Sequence, residues 1–113
     1  GMGHKYLLPT TNLIPSGEKL MPPNGVYITV SYFKERTYQG ITNIGYKPTV
    51  GGEKFLGVET YLFDCQEDLY GQYCRVDFKK FLRPEQKFTS LEALKKQLEK
   101  DAVKGQEYFR KEK

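Results

Sequence analysis

Three short stretches carry side chains that could act on a substrate. Pro9-Thr10-Thr11-Asn12 clusters two hydroxyls and an amide ahead of a Pro/Gly-rich run, from Ile14-Pro15-Ser16-Gly17 to Met21-Pro22-Pro23-Asn24-Gly25. Neutral oxygen donors of this kind suit Mg²⁺, which takes few protein ligands and keeps the rest of its shell for water and phosphate. The same residues also make an ordinary turn. Glu59 lies in Gly57-Val58-Glu59-Thr60-Tyr61-Leu62-Phe63. On a strand it shares a face with Tyr61 and Phe63, and a carboxylate desolvated by aromatic rings gains proton affinity, as a general base near neutral pH requires. A strand-end glutamate paired with a lysine is the competing reading. Asn43-Ile44-Gly45-Tyr46-Lys47-Pro48-Thr49-Val50-Gly51-Gly52 reads as a strand end running into a glycine-containing loop, whose backbone N–H groups could cradle phosphate or simply connect a long hairpin. Neither G-x-x-x-x-G-K-[ST] nor G-x-G-x-x-G occurs, so a P-loop or a dinucleotide fold has no support.

The elements that would position these residues are mostly strands. Gly25 to Phe33 and Thr37 to Gly45 are rich in β-branched and aromatic residues and flank Lys34-Glu35-Arg36, the pattern of an antiparallel hairpin. Leu56 to Phe63 and Gln72 to Leu82 make two further strands, with a turn in Asp64 to Gly71. Thr89-Ser90-Leu91-Glu92 is a capping-box sequence, with Thr89 as the acceptor and Glu92 reaching back. After it Leu91, Leu94, Leu98 and Ala102 recur at helical spacing, so they should pack the helix on the sheet. Gly105 should weaken the helix and residues 110–113 should fray.

The chain has 113 residues, the size of one domain, and residues 1–113 are read as one unit. Gly1 before Met2 looks like the remnant of a cleaved tag. No apolar run approaches the roughly 18–20 residues of a membrane span, and no signal-peptide h-region is visible, so a cytoplasmic protein without membrane contact is expected. Cys65 and Cys74 lack C-x-x-C spacing and read as reduced structural thiols. The net charge of +4 and nine tyrosines would also fit a β-barrel that binds single-stranded nucleic acid, but most of the aromatics fall at core positions.

Taken in order, the landmarks P-T-x-N (Pro9 to Asn12), L-x-P-x-N-G-V-Y (Leu20 to Tyr27), N-I-G-x-x-P-T (Asn43 to Thr49), V-E-x-x-L-F-D (Val58 to Asp64), D-L-Y-G (Asp68 to Gly71) and F-x-x-x-L-R-x-E-x-K-F-x-S-L-E-x-L (Phe78 to Leu94) resemble the riboflavin kinase family. The resemblance implies a mainly β fold, a six-stranded antiparallel Greek-key barrel with a C-terminal helix packed on it. It implies transfer of the ATP γ-phosphate to the 5′-hydroxyl of riboflavin, giving FMN with Mg²⁺ as cofactor. Small-molecule substrates, no nucleic acid, and an adenylyltransferase domain upstream in a natural FAD synthetase follow from it. Mapped residue by residue, Thr10 and Asn12 hold the metal. Pro9, Thr10, Asn12, Asn43 and Gly45 line the nucleotide. Glu59 is the base and touches the flavin, and Arg83 belongs to the flavin-covering segment.

The family's approach G-x-x-x-G-F-P-T is met by Gly3-His4-Lys5-Tyr6-Leu7-Leu8-Pro9-Thr10, with Leu7 at the second glycine. A side chain there would crowd backbone meant to approach phosphate. The strand that precedes this loop in the family is expected to be missing from an N-terminally truncated chain. The alternative function is therefore a non-catalytic flavin- or nucleotide-binding relic of the same fold.

Overall fold

The computed structural model describes residues 4–8, 22–48, 51, 54–67, 69, 72 and 74–112. In them the chain is mainly antiparallel sheet followed by one long helix: β1 (His4–Leu8), β2 (Gly25–Tyr32), β3 (Thr37–Pro48), β4 (Lys54–Leu62), β5 (Arg75–Arg83) and α1 (Leu91–Lys111). The strands are ordered β1-β4-β3-β2-β5, with every neighbouring pair antiparallel. Three hairpin-connected strands, β2 to β4, are joined by β5 returning beside β2, which is the Greek-key arrangement. Five strands are seen among the described residues, so the sixth strand and the closure of the barrel are not observed there.

Two departures from the sequence reading bear on the site. Residues 4–8, expected as part of a nucleotide loop, form β1 and pair with β4 from His4↔Leu62 to Leu8↔Val58, so a strand does precede Pro9. Tyr46 to Pro48, expected to leave the sheet as a loop after a strand ending at Gly45, continue β3, because the ladder to β4 runs on to Pro48↔Lys54. The glycines at 45 and 57 face each other inside that ladder.

Alternation along each strand separates two buried faces. One face carries Tyr27, Ile44 and Val58, with Phe78 against them, and at its other end Leu62, which packs with Phe33, Cys65, Leu69 and Cys74. Between these clusters Thr29, Thr42 and Thr60, all 0% exposed, form a hydroxyl chain across β2, β3 and β4 with O···O distances of 2.8 and 2.9 Å. Chaining satisfies hydroxyls that would each cost about 1–3 kcal/mol if buried alone. Both cysteines are free thiols within the core.

The opposite face carries Val26, Ile28 and Ile41 and receives α1, whose Ala102 packs there with Phe63, flanked by Leu82, Tyr108 and Phe109. The helix docks by its second half, which corrects the expected use of Leu91, since that side chain is 74% exposed. Gly105 explains the shift. It is buried in the helix, and a Cβ there would lie 3.0 Å from Phe63 and 3.1 Å from Ile41, so the missing side chain is what lets the helix approach the sheet. The helix runs through Gly105 to Lys111 and is capped at its start by Ser90, not Thr89: Ser90 Oγ accepts from the Ala93 N–H at 3.1 Å.

Candidate functional site

The register gathers the singled-out residues into one line. Leu7 opposes Glu59, Glu59 opposes Asn43, Asn43 opposes Val26, and Val26 opposes Arg83. Directly opposed residues point to the same face of an antiparallel sheet, so Glu59, Asn43, Val26 and Arg83 share the face that receives α1, and Leu7 holds the next register position on β1. The Val26 end of this row is buried under the helix, while Asn43 and Glu59 are half-buried farther along the sheet.

Glu59 alternates with Val58 and Thr60, both 0% exposed, which pins its carboxylate to the half-open face as the strand period requires. Its side chain takes part in contacts within the fold, so it is held and not free-standing. Asn43 presents an amide beside it, and the Asn43 Oδ1 atom is buried with no hydrogen-bond partner among the described residues. An amide oxygen left this way costs about 1–3 kcal/mol, a cost the fold also carries at the buried Ser31 Oγ on β2, outside this row.

One step along the strands the Gly45–Gly57 pair leaves the sheet without side chains. That space is taken from outside. A Cβ on Gly45 would overlap the carboxylate of Glu85, which reaches across from the segment after β5. Gly45 therefore serves close approach of a side chain to the sheet, and its backbone belongs to a strand and not to a loop.

Arg83 closes the row at β5. Its Nε donates to both oxygens of Asp101, at 3.0 and 3.2 Å, and its Nη2 to Oδ2 at 2.8 Å. Its Nη1 donates to the Pro84 carbonyl at 3.1 Å. The guanidinium has five N–H donors, so among the described residues one remains on each terminal nitrogen. Gln97 Nε2 adds a bond to Asp101 Oδ1 at 3.0 Å.

The sequence reading thus placed Glu59, Asn43, Gly45 and Arg83, and the fold brings all four to one side of the sheet. Pro9, Thr10 and Asn12 lie outside the described residues, as does Thr49. Glu85 and Asp101 were passed over. Glu85 is the glutamate of the L-R-x-E landmark, and Asp101 is a charge set among Leu98, Ala102 and Gly105 on the buried helix face, a break in pattern that signals a partner. A separate cleft of about 280 Å³ lies between β5 and the last turns of α1, lined by Ile28, Leu82, Lys80, Lys104 and Tyr108 among others, and contains none of these residues. Among the described residues no helix is long and apolar enough to cross a membrane.

Comparison with known proteins gives a consistent set of matches. The family description "Flavokinase: Riboflavin kinase" matches residues 1–109. The chain is 34% identical over 109 residues to the bifunctional riboflavin kinase/FMN adenylyltransferase of Bacillus subtilis (strain 168), covering 95% of this chain and 34% of that protein. The protein of the same description from Escherichia coli (strain K12) is 37% identical, with 96% and 34% covered. The RNA-binding riboflavin kinase RibR of Bacillus subtilis is 39% identical over 102 residues, with 88% and 43% covered. Among solved structures, the crystal structure of a macrolide-efflux protein from Streptococcus pneumoniae superposes with a TM-score of 0.65 at 29% identity, covering 73% of this chain and 27% of that one. The chain spans about a third of the length of the bifunctional relatives.

Proposed function

We propose, from the premise that this chain belongs to the riboflavin kinase family, that it transfers the γ-phosphate of ATP to the 5′-hydroxyl of riboflavin, giving FMN and ADP. The observation that carries this reading is the Asn43–Glu59 pair on the half-open face of the sheet, an amide and a carboxylate side by side. Phosphoryl transfer asks a protein mainly for positioning and charge neutralisation, plus an acceptor for the hydroxyl proton. Glu59 takes that proton as the ribityl oxygen attacks the γ-phosphorus and the bond to the ADP oxygen breaks.

Asn43 and Gly45 border the nucleotide in this reading, and Arg83 belongs to the flavin side through its two remaining donors. Pro9, Thr10 and Asn12 complete the nucleotide side. A Thr hydroxyl and an Asn amide oxygen are a donor set that fits Mg²⁺ with water and phosphate filling its shell, and Thr10 and Asn12 would hold it. The ion would supply charge neutralisation at the phosphates. Leu7 gives no support to a relic without turnover, since residue 7 lies in a β-ladder and not in a phosphate loop. In a longer natural chain an adenylyltransferase domain, as named in the bifunctional relatives, would consume the FMN, and both steps belong in the cytoplasm where ATP is made. RNA binding is named for RibR, more than half of which lies outside the match, and no role for nucleic acid is proposed for this chain.

The test is direct: incubate the protein with riboflavin, ATP and Mg²⁺ and separate FMN from riboflavin chromatographically. FMN formation that needs all three components supports the reading. Flavin binding without FMN removes the kinase and leaves the relic.

A further inference from the structure

Helix α1 and the candidate site meet through one buried carboxylate. Asp101 is 1% exposed, and a charge at that depth costs several kcal/mol unless it is matched by partners of good geometry. It is matched by the fork of Arg83 and by Gln97. Arg83 is the last residue of β5, and the same guanidinium reaches forward to the Pro84 carbonyl. One side chain therefore clamps the helix, the end of a strand and the first peptide of the outgoing segment. Two residues past Arg83, Glu85 rests on Gly45, which follows Asn43 by two on β3.

A buried ion pair is a poor choice for stability alone, because apolar residues of similar size usually serve as well or better. Its advantage is direction. A bidentate fork fixes the angle at which the chain leaves β5, which an apolar contact does not. We propose that Asp101 is a positioning residue: through Arg83 it sets the path of residues 84–88 and holds Glu85 on Gly45 beside the Asn43–Glu59 pair, forming the wall of the acceptor-substrate side. Assignment of that side to riboflavin rests on the reading above, in which the acceptor hydroxyl lies at Glu59.

Asp101→Asn keeps the shape and Arg83 but replaces a charged fork by a neutral contact. Two readouts decide the proposal: steady-state kinetics with each substrate varied, and the mobility of a nitroxide attached at Gln86, an exposed position on the segment. The expected result is a rise in the KM for riboflavin with the KM for ATP little changed, the label set free, and a thermal midpoint lowered because the largely buried Arg83 loses its counter-charge. An immobile label with unchanged riboflavin KM overturns the proposal. So does a rise of both KM values by the same factor with the label still immobile, since that is what a purely structural pair would give. If Asp101→Asn does not fold, the double variant Arg83→Met/Asp101→Leu removes both charges, and its label mobility relative to the parent decides in the same way. Should the parent make no FMN, the kinase reading fails by itself, and the nitroxide still tells whether Asp101 positions the segment.

Discussion

Asn43 and Glu59 are direct partners across β3 and β4, on the face of the sheet that α1 covers only in part. Cβ atoms of such partners lie roughly 4.5–5.5 Å apart, so a single hydroxyl-bearing ligand can meet both groups at once. The pair also sits in the middle of the row that ends in Leu7 on one edge and Arg83 on the other.

Glu59→Gln preserves the size and hydrogen-bonding reach of the side chain and removes its ability to take a proton. The expected outcome is a fall in kcat of about 10²- to 10⁴-fold with riboflavin affinity nearly intact. Turnover and flavin affinity measured on one preparation check it, and unchanged turnover removes Glu59 from the chemistry.

Asn43→Leu addresses the orphaned amide oxygen. Replacing an unsatisfied buried polar group by an apolar one removes a desolvation cost, so the thermal midpoint should hold or rise. Substrate recognition should weaken at the same time, the trade expected where a site retains a destabilising group for use. Thermal unfolding and kcat/KM for FMN formation, taken together, test it. A clear loss of stability would make Asn43 a structural residue.

The placement of Glu59 on the sheet was legible in the sequence, and the reasons other features were not are physical. Glu59 could be assigned to a face because Val58, Thr60 and Leu62 alternate with it, and period-2 patterning is local information. The extension of β3 through Lys47 and Pro48 was not legible, because Gly45 and Pro48 read as loop formers and only the partner ladder of β4 keeps them in the sheet. The Arg83–Asp101 fork joins residues 18 apart in sequence, a tertiary pairing that strand or helix periodicity does not encode. Likewise Gly105 carries an intrinsic helix cost, which is overridden by the close approach to Phe63 and Ile41.

Thr42→Val breaks the middle of the Thr29–Thr42–Thr60 chain. Two hydroxyls then lose their shared neighbour in a fully buried layer, and the expected cost is about 1–3 kcal/mol by denaturant unfolding. Replacing all three threonines by valine should cost less than the three single changes added together, because no hydroxyl is then left alone. Strict additivity would mean that the chain is not cooperative.

Cys74 gives a pH signature. Burial disfavours its thiolate and pushes the thiol up to about 11 from an ordinary value of 9.0. Below about pH 9 folded and unfolded chains both keep the proton and nothing changes. Between that point and about 11 the unfolded chain releases it first, so it binds fewer protons and stability falls as pH rises through this window. Cys74→Ala should flatten part of that alkaline decline in thermal midpoint, and the parent thiol should react slowly with a disulfide reagent at pH 8.

The docking of α1 separates two substitutions that sequence patterning alone would rank the other way. Leu91 belongs to the apolar stripe by spacing, yet it projects into solvent, so Leu91→Ser should change stability by less than about 0.5 kcal/mol. Gly105 looks like a defect in the helix, and Gly105→Val would ordinarily be expected to improve helix propensity. In the fold even a Cβ lies 3.0 Å from Phe63 and 3.1 Å from Ile41, and the two further methyl groups have no room without moving the helix off the sheet. Overpacking of this kind costs about 1–3 kcal/mol. Because Asp101 is one turn before Gly105 on the same helix, a displaced helix also pulls on the Arg83 fork, and FMN formation should suffer with stability. Denaturant unfolding of both variants decides the matter: a larger loss for Leu91→Ser than for Gly105→Val would mean that α1 packs by its first turns after all.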